Sequence, residues 1–446
     1  MSFTEELDQT AEWSPESLST FQRDIPSEWI ENALEATGTA SIRRRRLPAE
    51  QVVWLVLGIG LYRERSIQDV CDKLDLVMPD RAGRPVVASS ALAQARERLG
   101  ADPMRYLFLS SAEAWSGQEA HDDFHGLKLL SVDGTVFETP DSEENGEAFG
   151  FIESRKGHTS AFPSVRLTAL MSLRTHLVWE AAFGPGTQGE INYARELVSA
   201  APAHSLTLFD RCYFCAELLL SWQQAQPESH WLTPVKRTMR YEVVEQFAEH
   251  DGLIEMPVSP QAREQYPHLP ATWQARMVRF ANPKGEITGF LTSLTDPQRY
   301  PAEALLRIYW QRWEIEQGYG ELKRRQLRSE RLLRSQKPEG IIQELWGILL
   351  AYNLVRLEIT RIAQEAAVPP LRISFLMAMR YIQDEFLWCA VASPGTIPKK
   401  LRALRANVKA FILPERKRPS MPRAVRKSKT RYPVMEKPPR KNRGLK

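Results

Sequence analysis

The chain has 446 residues, enough for two or three domains and a sizeable core, and its 43% hydrophobic and 26% charged content is that of ordinary globular domains. The acidic start MSFTEELDQTAEW lacks the basic, then apolar pattern of an export signal. The most apolar runs, VVWLVLGIGLY (52–62) and LWGILLAYNLV (345–355), are too short to span a bilayer and read as buried helices. No membrane partner is expected, and the predicted location is cytoplasmic. Four cysteines, Cys71, Cys212, Cys215 and Cys389, suit a reducing compartment without a disulfide framework. Cys212 and Cys215 form a lone CxxC, read as two small residues at a strand–helix junction. Charge is unevenly spread: Lys399 to Lys446 holds 18 Lys/Arg against two acids, whereas residues 1–398 hold 41 bases against 53 acids. A basic, Pro-rich tail on an acidic body suits a polyanion, most simply nucleic acid, or else a solvated tail that binds nothing specific.

Residues 1–25 carry no strong pattern and are expected to form a flexible N-terminus. The segment 26–120 reads as helical: PSEWIENALEATG ending at Gly38, a helix from Pro48, another from Ser66, and SSALAQARERLG stopped by Gly100. The cluster Arg43, Arg44, Arg45 and Arg46 precedes the second of these. Helix, connection and short basic helix are compatible with helix-turn-helix docking on DNA, although any helical bundle contains such pairs.

From residue 121 the texture changes to strands. LKLLSVDGTVFETP places Asp133 at or just beyond the end of a buried strand. VRLTALMSL (165–173) alternates Val165, Leu167, Ala169, Met171 and Leu173 onto one side, and HLVWEAAF (176–183) follows as a hairpin partner. GEINYARELVSA is helical, SLTLFDRCYF is a strand ending at Asp210, and AELLLSWQQA is a helix. Three antiparallel strands, a helix, a fourth strand and a helix is the order of the ribonuclease-H-like fold, in which acids at neighbouring strand ends converge on metal. The predicted class is therefore α/β: a ribonuclease-H-like core, with a mixed sheet and flanking helices, carrying an N-terminal helical DNA-binding domain. The first part of the core covers 121–226. Residues 227–298 (SHWLTPVKR, GLIEMPVS, TWQARMVRF, GEITGFLTS, with a turn at ANPKG) read as a mainly β insertion into it. The second part of the core and C-terminal helices occupy 299–392, and the basic tail 393–446.

The densest motif is YWQRWEIEQGYGELK, from Tyr309 to Lys323. On one uniform helix, Tyr309, Arg312, Glu316 and Lys323 fall within an arc of roughly 60° over about 21 Å of axis. Glu314 falls on the opposite side beside Glu321 and Arg325, a face read as solvent, while Ile308, Ile315 and Leu322 form a flank for the sheet. Glu316 is thus the chemical candidate, suited to a metal beside a phosphate track; an ordinary surface ladder with an Arg312–Glu316 pair is the alternative.

The spacing Tyr309-x2-Arg312-x3-Glu316-x6-Lys323 resembles the Y-R-E-K signature of bacterial DDE transposases of the insertion-sequence-4 family. DGTVFETPDSEEN and LFDRCYF resemble that family's two aspartate segments, and RRRRLP, SSALAQARERLG and ELWGILLAYNLVR are also similar to its members, so that the likeness runs from about residue 26 to 436. One departure stands two residues after Asp210, where Cys212 replaces the usual glycine. The resemblance implies that Asp133, Asp210 and Glu316 bind two Mg²⁺ ions, with Mn²⁺ able to substitute. It implies a cut-and-paste transposase acting on double-stranded DNA, transposon ends and target alike, as a homodimer in the synaptic complex. Tyr309, Arg312 and Lys323 are the implied DNA contacts of the motif, the first two at a bent hairpin end, together with Arg43–Arg46. A nuclease of the same fold and a DNA-binding regulator without chemistry are the rival readings. Trp273 is a candidate platform for a flipped base or else a core residue, Glu138, Asp141 and Glu144 are possible supporting acids or surface ones, and the eight histidines show no ligand spacing.

Residues 416–446 carry 13 bases and one acid, interrupted by prolines. Each phosphate neutralised on duplex DNA adds roughly 0.9 to the slope of log affinity against log salt. With a third of these charges engaged, deleting 416–446 should flatten that slope by about three to four units. Preference for terminal over random DNA should fall much less. Titrating full-length and truncated protein on both DNAs across a salt series measures both effects, and an unchanged slope would make the tail a bystander.

Overall fold

A computed structural model describes residues 24–40, 47–77, 87–117, 124–153, 159–236, 238–281, 287–327, 332–389 and 397–414; the N-terminus as far as residue 23, Arg43–Arg46, most of the basic tail and residues 282–285 of the ANPKG turn lie outside them. The helices are α1 (Ser27–Ala36), α2 (Ala49–Leu61), α3 (Ile67–Lys73), α4 (Ser89–Leu99) and α5 (Asp102–Ser116). Several ends follow local chemistry. The Ser66 hydroxyl accepts from the Asp69 N–H to cap α3, and Gly100, at φ +69°, closes α4. Strand β1 (Lys128–Glu138) and helix α6 (Glu143–Phe149) follow, then β2 (Ser164–Ser172), β3 (Val178–Pro185), α7 (Glu190–Glu196), β4 (Ser205–Phe209), α8 (Ala216–Ala225) and β5 (Ser229–Pro234).

The strands β1, β2 and β3 pair antiparallel, and β4 then lies parallel to β1 on its other side. This is the arrangement the strand order predicts. Strand β5 pairs parallel with β4. The segment SHWLTP, assigned to the insertion on sequence, is therefore a fifth strand of the same parallel set, and the residues that interrupt the core begin after it. They comprise β6 (Glu242–Ala248), β7 (Asp251–Pro257), the short helix α9 (Pro260–Gln265), β8 (Thr272–Ala281) and β9 (Ile287–Thr292). These strands extend the sheet in place of building a separate one, giving a nine-stranded order β3-β2-β1-β4-β5-β9-β8-β7-β6.

After the sheet come α10 (Ala302–Tyr309), a 3₁₀ turn (Trp310–Arg312), α11 (Trp313–Gly320), a π-helical turn (Glu321–Gln326), α12 (Pro338–Glu365), α13 (Phe375–Cys389) and α14 (Ile397–Lys409). The alternating residues Val165, Leu167, Ala169 and Met171 of β2 face one core, which also contains Ile315, Tyr319 and Leu322. Of the flank predicted for the motif, Ile315 and Leu322 pack there, whereas Ile308, like Leu173 after β2, packs in a separate core with Leu305 and Phe290. The opposite face, with Leu130, Val132 and Leu170, packs on α7 and α8.

The N-terminal helices do not build a core of their own. Helix α2 is buried from Gln51 to Leu61, and a helix apolar all round needs neighbours on every side. They come from α3, α4 and α12. Arg63 and Glu344 form a buried ion pair, and the Tyr62 hydroxyl donates to the Gln383 carbonyl, fastening the end of α2 to α12 and α13. Helices α2 and α12 touch through glycines: a Cβ on Gly60 would lie 2.8 Å from the Gly347 carbonyl, and one on Gly347 2.9 Å from that of Val56. Among the described residues no helix is long and apolar enough to cross a membrane.

The glycine contact yields a stability prediction. Gly347→Val forces a branched side chain against backbone that cannot retreat, and should destabilise the protein by about 1–3 kcal/mol. Urea unfolding should show a lower midpoint at an unchanged slope; an unchanged midpoint would show that the helices can separate freely.

Candidate active site

The register of β1 on β4 builds the site. Val132 pairs with Phe209, so Asp133 and Asp210, each one residue further on, lie side by side where the parallel pairing of β1 and β4 ends. Strand β1 does not end there, as the sequence suggested. It runs on to Glu138 against β2, with Asp133 opposite Ala169, while β4 stops at Phe209. Asp210 caps the following 3₁₀ turn, its Oδ1 accepting from the Arg211 N–H at 2.6 Å. Asp133 Oδ1 accepts from the Gly134 N–H at 2.9 Å.

Helix α11 brings the third acid. The Tyr319 hydroxyl donates to the Asp133 carbonyl at 2.5 Å, tying the helix to β1 at the residue that matters. Glu316 lies half-buried, 3.6 Å from Arg312 Nη2. Burial raises its carboxyl above the ordinary value, Arg312 pulls it down, and Asp210 raises it again. Burial pushes Asp133 up to about 6; the Gly134 N–H and Arg312 oppose this, and Glu190 and Asp210 reinforce it. The three predicted acids therefore share one electrostatic neighbourhood, with Arg312 acting on two of them. Tyr309 stacks on Phe290, centroids 5.8 Å apart, and bonds to Arg312. Lys323 Nζ sits 5.2 Å over the Phe137 ring of β1.

Two expectations for the motif need correction. It is not one uniform helix, because the 3₁₀ turn before Trp313 and the π-helical turn after Gly320 change the angle per residue. Nor does Glu314's side face only solvent. Glu321 is 7% exposed and is held by Arg356, with its Oε2 3.2 Å from both His176 Nδ1 and the Tyr352 hydroxyl. Glu314 Oε2 lies 3.4 Å from His176 Nε2. His176, given no role on sequence, is fully buried at the β2–β3 turn with φ +62°. Trp273 is a core residue, 5% exposed and packed on Trp231 and Phe214. In the candidate recognition helix α4, Arg96 points inward to Gln343 and Ser335.

The acid beside Asp133 that sequence reasoning missed is Glu190, the first residue of α7. Its Oε1 is 2.5 Å from Arg166 Nη1, and its Oε2 is 3.3 Å from the Tyr213 hydroxyl and 3.8 Å from Cys212 Sγ. Loss of solvent, then the carboxylates of Glu190, Asp210 and Asp133, push the Cys212 thiol up to about 12. Glu138, Asp141 and Glu144, the supporting acids considered from sequence, lie at the far end of β1 and around the start of α6.

Among the described residues no three His, Cys, Asp or Glu groups are gathered into a cage. Magnesium needs none, since it takes one or two carboxylates and keeps several waters. The donor set here is oxygen only, and its under-neutralised acids repel one another, so the residues fit hard divalent cations.

A sheet of this order, with Asp133 and Asp210 on its central parallel strands, belongs to the ribonuclease-H-like class, and the family models narrow it. Residues 125–354 match the transposase DDE domain, and 15–109 the insertion element 4 transposase N-terminal region. The chain belongs to the insertion-sequence-4 family of DDE transposases, enzymes that cleave DNA and transfer the cut strands. It is 36% identical over 414 residues to the Escherichia coli transposase InsG of insertion sequence element IS4, covering 93% of each chain. It is also 36% identical to the putative transposase InsZ of the same organism over 233 residues, which are 52% of this chain and 76% of that one. A piggyBac transposase solved by cryo-electron microscopy in a synaptic complex with hairpin DNA is similar at 12% identity and TM-score 0.41, covering 90% of this chain and 86% of that one. The full-length match to a transposase decides against the nuclease and regulator readings. Divalent metal ions are the general cofactor of the DDE family.

The buried cluster behind α11 gives a second stability prediction. Burial alone would raise Glu321, but Arg356 and His176 hold it down at about 2. Its folded value lies below the ordinary 4.5, so its contribution is complete above about pH 4.5 and is lost as pH falls towards 2. Glu321→Ala strands the buried Arg356 charge and should cost about 3–5 kcal/mol, whereas Glu321→Met with Arg356→Met should recover much of it. Chemical unfolding at pH 7 and pH 3 checks both; an additive double variant would show that the two residues are not coupled.

Proposed function

We propose that Asp133, Asp210 and Glu316 hold two Mg²⁺ ions, replaceable by Mn²⁺, with which this enzyme cuts its element's terminal inverted repeats and joins them to target DNA. When bound, the ions supply activation of the attacking water or 3′-hydroxyl and steady the leaving oxygen. The observation that carries the reading is the register that sets Asp133 beside Asp210 at the end of the parallel β1–β4 pairing, with Arg312 acting on both Asp133 and Glu316.

The protein's own side chains do the rest. Arg312, 18% exposed, presents a planar fork suited to a phosphate and can exchange Glu316 for it. Tyr309 braces that guanidinium from its stack on Phe290. Lys323 adds a point charge further along the same segment, beside β1. Tyr319 keeps α11 in register with Asp133, so that Glu316 is delivered at a fixed height. Transition-state charge at phosphorus then meets cations placed in advance, which is the main source of acceleration in phosphoryl transfer. Arg43, Arg44, Arg45, Arg46 and the basic tail add phosphate contacts that are independent of base sequence. Two copies acting as a homodimer bring both ends of the element together. The division read from sequence serves the same roles once the first part of the core is extended through β5: 26–120 for end recognition, 121–234 and 299–392 for chemistry.

Glu316→Ala should abolish metal-dependent cleavage of terminal DNA, while Glu314→Ala keeps most of it and loses only a modest contact with His176. Single-turnover cleavage of a labelled terminal duplex, with circular dichroism to confirm folding, distinguishes the two. Equal loss in both folded variants would remove Glu316 from its assigned role.

A further inference from the structure

We propose that Glu190 is a positioning residue of the metal centre, a fourth carboxylate that sets the gap between the two aspartate segments and strengthens their hold on divalent cations. The inference rests on the reading of Asp133 and Asp210 as metal-holding residues and goes beyond it.

Glu190 touches both segments at once. Its Cδ and Cγ occupy the space beside Gly134, where a Cβ would come within 2.6 and 2.7 Å of them. Any side chain at position 134 would have to displace this carboxylate. On the other side, Oε2 accepts from the Tyr213 hydroxyl at 3.3 Å. Tyr213 is fully buried and sits in the 3₁₀ turn that Asp210 caps, so its bond to Glu190 fixes that turn against β1. Arg166 of β2 holds Oε1 and offsets part of the charge, while Oε2 lies beside Gly134, the residue next to Asp133. Glu190 therefore places a negative charge between the two aspartate segments, and a bound divalent cation would relieve it. Residues that orient metal ligands without touching the ion commonly set affinity in this way.

Glutamine separates this role from a packing role. Glu190→Gln keeps the volume and removes the charge: its one amide oxygen can accept from Arg166 while its NH2 donates to the Tyr213 hydroxyl oxygen, reversing that bond but preserving the contact. In full-length protein without DNA, Mn²⁺ binding followed by the electron paramagnetic resonance signal of the free ion should weaken about 10–100-fold in Glu190→Gln. Cleavage by the variant should need a correspondingly higher Mn²⁺ concentration and approach the wild-type rate at saturation. Glu190→Ala should show the same loss of affinity and a lower saturated rate; should it fail to fold, Glu190→Gln carries the test alone. Wild-type Mn²⁺ affinity in Glu190→Gln would overturn the proposal. Asp133→Asn and Asp210→Asn separate the two levels. If they too bind Mn²⁺ normally, the metal-holding reading itself falls; if they lose binding and Glu190→Gln does not, only the role of Glu190 does.

Discussion

Two carboxylates leaving neighbouring parallel strands at the same level are forced to within about one strand spacing, roughly 5 Å, of each other's backbone. The pairing of Val132 with Phe209 imposes this on Asp133 and Asp210, and partial burial makes the repulsion expensive. The surroundings answer that problem. Arg312 offsets Asp133 and Glu316, backbone N–H groups hold one oxygen of each aspartate, and Arg166 takes half of Glu190. The remaining excess of negative charge is the feature that suits the site to divalent cations, and so to phosphoryl transfer.

The third acid is delivered by a helix whose position is fixed from three sides. Ile315, Tyr319 and Leu322 pack on β2, the Tyr319 hydroxyl reaches the Asp133 carbonyl, and Glu321 is clasped by Arg356 of α12. Helix α12 in turn meets α2 through glycine contacts and the Arg63–Glu344 pair. The helices that precede the sheet in sequence and the helix that carries Glu316 therefore share one core. In an interior this closely packed, a shift of α2 is felt at α12 and then at the π-helical turn beside the site. The N-terminal helices and the helix that carries Glu316 are thus borne on one continuous body.

Local signals in the sequence determined a good deal. Alternation in 165–173 fixed the sheet-facing side of β2, because a strand shows its faces in steps of two. Ser66 and Gly100 marked helix ends, because caps depend on residues a few positions away. The order of strands and helices, with apolar runs ending in Asp133 and Asp210, was enough for the fold, and the Y-R-E-K spacing for the family. Tertiary structure decided what depended on distant partners. The break of the motif helix into 3₁₀, α and π turns, the burial of Glu321 by Arg356 and His176, and the inward turn of Arg96 all come from contacts across the chain. So does the place of Glu190, which is 57 residues beyond Asp133 in sequence yet lies against Gly134. A carboxylate at the start of a short helix looks the same in sequence whether it faces water or two aspartates; only the folding of β2, α7 and β4 onto β1 gives it neighbours.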